Sequence, residues 1–106
     1  MPAAPVAEFK GRGGRYGAHN LHENRPAPGA WASETTILGT FFNGGVRAFD
    51  LSDPFRPTEA AYYIPAAPPG SRAGAAQIND VFVDERGVVY AVDRFTGGLY
   101  VLELTR

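Results

Sequence analysis

The chain has 106 residues, 44% hydrophobic and 12% aromatic, with eleven acidic side chains against ten basic ones and no cysteine. That length makes one domain able to bury about two-thirds of its unfolded surface. The composition is too apolar for a disordered chain. A net charge of −1 gives no electrostatic case for nucleic acid or an anionic membrane, and the absence of cysteine excludes disulfides, thiolate metal sites and cysteine nucleophiles.

At the start, residues 5–10 (Pro-Val-Ala-Glu-Phe-Lys) read as an outer strand. Residues 1–7 have no basic stretch and no long apolar run, so no signal peptide is expected there, and no apolar run approaches the ~20 residues of a membrane helix. Residues 11–17 (Gly-Arg-Gly-Gly-Arg-Tyr-Gly) fail the dinucleotide pattern, because Tyr16 stands where its third glycine belongs. They read as a flexible connection.

Six short β-branched and aromatic runs follow, at residues 35–42, 46–51, 60–64, 79–84, 88–93 and 99–104. Their composition and length predict strands, and no stretch of ten residues keeps a helical period free of Gly and Pro. The fold class is all-β. Asn43-Gly44-Gly45 and Thr96-Gly97-Gly98 supply the positive φ of tight hairpins, Ser52-Asp53-Pro54 ends a strand, and Asp84-Glu85-Arg86-Gly87 makes another hairpin turn. Asp93-Arg94 reads as an ion pair bracing a hairpin. Trp31, in a Pro/Gly-rich loop, reads either as a contact surface or as a lid packed over a sheet edge.

The chain repeats itself. Phe42-Asn43-Gly44-Gly45-Val46 matches Phe95-Thr96-Gly97-Gly98-Leu99 at an offset of 53 residues, which also places Ile37 on Tyr90 and Phe49 on Leu102. Ala18-His19-Asn20-Leu21 matches Ile78-Asn79-Asp80-Val81 at an offset of 60. Four-stranded units recurring at about 50 residues are the signature of β-propeller blades. The expected architecture is about two four-stranded antiparallel blades, one over about 17–65 and an incomplete one over about 76–105, with the outer strand at 5–10. Two blades do not close a ring, so the chain is expected to be a propeller fragment or a ring-forming subunit. Its partners are then other blades, from a longer protein or a homo-oligomer.

Gly17-Ala18-His19-Asn20-Leu21-His22-Glu23-Asn24-Arg25-Pro26, Asn43-Gly44-Gly45-Val46-Arg47-Ala48-Phe49-Asp50-Leu51-Ser52-Asp53-Pro54 and Tyr90-Ala91-Val92-Asp93-Arg94-Phe95-Thr96-Gly97-Gly98-Leu99-Tyr100 resemble the C-terminal blades of bacterial LVIVD-repeat proteins. The resemblance covers nearly everything after Gly11. It implies a propeller longer than this chain, and a bacterial protein that is cytoplasmic, or exported if the chain belongs to a longer precursor. A more distant resemblance, to selenium-binding-protein-like oxidases, implies a histidine-bound metal.

The candidate ligand-binding residues are the polar starts of the innermost strands, His19, Asn20, His22, Asn79 and Asp80, together with Arg94. The metal candidates are His19, His22 and Glu23, for a divalent transition metal whose remaining ligands other blades would supply. On a regular strand His19 and His22 point to opposite faces unless a bulge intervenes. No serine has a histidine or acid at recognisable spacing, so hydrolase chemistry of that kind is not expected. The leading functional reading is a non-catalytic scaffold binding a protein or small-molecule ligand. The alternative is a metal-dependent oxidoreductase or hydrolase with a channel-facing histidine site.

Overall fold

All six strand runs form strands. The computed structural model describes residues 16–23 and 27–104, so the outer strand expected at 5–10 and most of the glycine-rich connection lie outside the described residues. The strands are β1 (Thr36–Thr40), β2 (Val46–Asp50), β3 (Thr58–Tyr63), β4 (Ile78–Val83), β5 (Val88–Asp93) and β6 (Leu99–Glu103). They make two antiparallel sheets of three strands each, β1-β2-β3 and β4-β5-β6.

Among the described residues the expected four-stranded blade is therefore corrected to a three-stranded sheet, and no closed propeller is formed. The would-be first strand, residues 18–22, does run beside β1. The Leu38 carbonyl accepts from His22 N–H, and Leu21 bridges Gly39. The ladder stops there because Thr40 is shared. Its carbonyl accepts from His19 N–H while its own N–H donates to the Asn20 carbonyl, so two residues oppose one and the pairing is lost.

Pairing places the repeat more closely than the matched letters do. Leu21 opposite Gly39 corresponds to Val81 opposite Ala91, which upholds the offset of 60. Leu38 pairs with Ala48, and Tyr90 pairs with Val101. β6 thus follows β2 at 53, but β5 follows β1 at 52, and Ile37 is not the counterpart of Tyr90. The second hairpin turn is one residue longer. Asp93 stabilises it by accepting N–H bonds from Phe95 and Thr96 at 2.9 Å each.

The sheets meet through one face each. Leu38, Val46 and Ala48 of the first pack against Ile78, Val81, Val83, Val89 and Ala91 of the second, and Trp31, Ala61, Tyr100, Leu102 and Leu104 close the margins. Each fully buried Val, Leu or Ile contributes roughly 1.5–3 kcal/mol relative to an exposed one. The sheets are also joined through the backbone: Phe42 N–H donates to Ile78 O at 2.8 Å and Ile78 N–H returns a bond to Phe42 O at 3.1 Å. Phe42 holds φ +53 to do this, a region costly for a residue with a side chain.

The turns follow the sequence. Gly45 takes φ +74 and lies so close to Tyr63 that a Cβ there would overlap the Tyr63 carbonyl oxygen. Asp53 caps its turn by accepting from Phe55 N–H at 3.0 Å. Arg47, 4% exposed on the far face of the first sheet, donates to Glu59 at 2.6 Å and to the Gly44 carbonyl at 3.1 Å, and lies over the Tyr62 ring.

Candidate functional site

Residues 19–23 and the facing stretch of β4 border a groove of about 680 Å³ alongside β4. It is lined by His19, Asn20, His22, Glu23, Asp80 and Phe82 among others, so the structure gathers most of the residues singled out from the sequence. A bulge underlies the gathering in each sheet. In the second, Ile78 pairs with Asp93 and Asp80 with Val92, leaving Asn79 as the extra residue. The offset of 60 sets that bulge on His19. The two bulged residues touch: His19 Nδ1–H donates to the Asn79 carbonyl at 2.7 Å, a group the ladder leaves free. The His19 ring also meets Phe42 edge-on, with centroids 4.9 Å apart.

His22 is used differently. Val83 N–H donates to its Nδ1 at 3.0 Å, which makes Nδ1 the acceptor, and Nε2–H donates to the Trp31 carbonyl at 2.7 Å. Trp31 N–H donates to the Val83 carbonyl at 3.0 Å. The imidazole thus fills a rung between two backbones, with its ring edge-on to Phe82 at 5.4 Å. In this arrangement His22 has no lone pair left for a metal. His19 keeps Nε2 without a partner among the described residues. No group of three or more metal-ligating side chains occurs among the described residues.

The remaining candidates separate. Asn20 is committed through its backbone to Thr40, whose Oγ1 accepts from Asn20 N–H at 3.1 Å. The Asp80 carboxylate accepts from Val81 N–H at 2.9 Å and borders the groove. Arg94 lies outside it; its N–H donates to the Gln77 carbonyl, and its guanidinium sits over the Phe95 ring, 5.8 Å from the centroid. The expected Asp93–Arg94 ion pair does not form. Asp93 is buried and accepts from Gln77, Phe95 and Thr96 N–H instead. Trp31 is half-buried against the core, which selects the packed reading of that loop.

One polar network was visible in the sequence only as a turn. Asp84 accepts from Arg86 at 2.7 Å, from the Tyr90 hydroxyl at 3.0 Å, and from Arg86 and Val88 N–H. The Arg86 side chain above all, with these other donors, lowers its carboxyl from 3.8 to about 2 against an opposing push from burial. The Arg86 guanidinium is shifted up in return. Tyr100, between the sheets, is shifted up by burial first and by Asp93 and Tyr63 after it.

A second recess, of about 240 Å³, opens between the sheets beside β6. Leu38, Ala48, Ala61, Val89, Leu102 and Leu104 give it an apolar floor, and Tyr63 stands at its side. No family model matches the chain, and no curated protein or solved structure gives a significant match to it.

Proposed function

We propose that the chain is a segment of an LVIVD-repeat-like β-propeller stack and acts as a non-catalytic binding scaffold. The observation that carries this reading is the outer face of the second sheet. Phe82, Val92, Leu99 and Val101 lie there 47%, 38%, 60% and 59% exposed. Pairing makes Val92 and Leu99 the counterparts of Thr40 and Val46, and Tyr90 and Val101 the counterparts of Leu38 and Ala48. In the first sheet that face is buried against its neighbour. The same face recurs in the second sheet with larger apolar residues at β6, a surface suited to receiving another sheet.

The histidines suit the scaffold reading too. Both are held by main-chain groups that bind the two sheets together, so the groove between them is braced rather than free to rearrange.

Sedimentation velocity tests the reading. The expected result is a wild type that associates beyond the monomer with rising concentration. Val92→Lys combined with Phe82→Lys is expected to return it to monomer with an unchanged far-UV circular dichroism spectrum. A wild type that remains monomeric throughout, or a double variant that associates equally well, would overturn the stacking role of this face.

A further inference from the structure

The outer edge of β6 differs from its counterpart in the first sheet. β2 has two partners, β1 on one side and β3 on the other. β6, its counterpart residue for residue, has only β5 among the described residues. Hydrogen bonding alternates along an antiparallel pair. The bond from Asp93 N–H to the Gly98 carbonyl fixes the alternation, so Tyr100 and Leu102 bond to β5. The N–H and C=O groups of Leu99, Val101 and Glu103 therefore point away from it. The equivalent groups of Val46 and Ala48 point to β3, opposite Tyr63 and Ala61.

Exposed edges are usually blunted by lysine, proline or a bulge. β6, Leu-Tyr-Val-Leu-Glu, has neither lysine nor proline and pairs with β5 without a register shift. Beside this edge lies the apolar recess floored by Leu38, Ala48, Val89 and Leu102. A strand added to β6 would direct alternate side chains into that recess and the others to the outer face.

We infer that β6 and this recess form an acceptor site for an extended β3-type segment of another polypeptide, which pairs antiparallel to β6 as a fourth strand. The occupant's chemistry is read from β3 itself, the strand that fills the equivalent place: small residues followed by two tyrosines, Ala60-Ala61-Tyr62-Tyr63. Backbone bonds to Leu99, Val101 and Glu103 supply the pairing, and the recess selects side chains of that size and polarity.

The probe is a fluorescein-labelled peptide of residues 58–64, Thr-Glu-Ala-Ala-Tyr-Tyr-Ile, titrated with the whole chain and read by fluorescence anisotropy. Saturable binding is expected. Val101→Pro removes an outward N–H without touching a bond to β5, since proline is tolerated on an edge strand whose N–H faces solvent. It is expected to weaken binding by about tenfold or more. The same loss is expected, on unaltered protein, for a peptide N-methylated at the positions of Ala61 and Tyr63, and this comparison decides the matter if Val101→Pro does not fold. Val92→Lys, which alters the stacking face, is expected to leave peptide binding intact, so failure of the stacking role and failure of the acceptor site are separate results. No saturable binding, or equal binding of the N-methylated peptide, would overturn the acceptor site. So would a β6-to-β6 dimer that Val101→Pro dissolves while the peptide fails to bind.

Discussion

Replacing His22 by phenylalanine tests whether the imidazole is a structural rung. The ring volume and the edge contact with Phe82 are largely kept, while both hydrogen bonds vanish. Val83 is 2% exposed, and its N–H points away from β5, since Asp84 N–H makes the adjacent bond to Val88. Without Nδ1 that donor is buried and unsatisfied, which costs about 1–3 kcal/mol. The Trp31 carbonyl, half-buried, loses a bond whose net contribution is about 0.5–1.5 kcal/mol. Together the expected loss is about 1.5–4.5 kcal/mol, a large share of the ~5–15 kcal/mol by which a domain is stable. Urea denaturation followed by tryptophan fluorescence reads it directly, because Trp31 is the single tryptophan and adjoins the substitution. His22→Gln, which carries an acceptor and a donor on one planar group, is expected to recover part of the loss. A decrease below about 0.5 kcal/mol for His22→Phe would refute the rung, since it would fall short of even one net hydrogen bond.

Two further results are expected. Asp84 is held at about 2 against an ordinary 3.8, so it binds protons less readily when folded than when unfolded. Its contribution is present in full above the ordinary value and is lost as pH falls through about 2. Acid titration of Asp84→Asn should show a flatter stability profile than wild type between those two values, and parallel profiles would contradict the assignment. Gly45→Ala should be far more damaging than Gly97→Ala. Both take positive φ, at +74 and +79, but only at Gly45 does a Cβ overlap backbone, whereas at Gly97 it meets nothing. Thermal melts should show roughly 1–2 kcal/mol lost for Gly97→Ala and clearly more for Gly45→Ala.

The strands were legible because β-branched and aromatic residues cluster between turn residues, and side-chain chemistry alone fixes both. The offset of 60 was legible because Leu21 and Val81 sit at equivalent points beside equivalent bulges. The offset of 53 was legible for β6 and misleading for β5. One extra residue in the turn after Asp93 moves the pairing by one, and a shift of one exchanges the faces of a strand. The offset of 53 sets Leu38 on Ala91, and both are buried, but they face opposite sides of the repeating unit. The fourth strand of the first blade is absent for a related reason: polar pairs at His19-Asn20 and Asn79-Asp80 both mark bulges, and β4 stays a strand around its bulge while the shorter segment 18–22 keeps too few bonds to be one. The groove's membership was largely legible. The use made of His22 was not, because its partners are backbone groups, one of them 61 residues away, and backbone groups leave no mark on the sequence.

The distances along the chain between bonded partners also set an order of assembly. β1 meets β2, β4 meets β5 and β5 meets β6 across short turns, so these hairpins close at little entropic cost. The bonds from His19 to Asn79 and from Val83 to His22 span 60 and 61 residues and close only after both sheets exist. Residues 19–22 therefore behave as a strap fastened last and released first. The Val83 amide, among the most deeply buried, becomes exposed when that strap lifts, well short of global unfolding. Burial and protection from exchange thus part company at Val83, whose buried amide is only as durable as the four-residue tie across it.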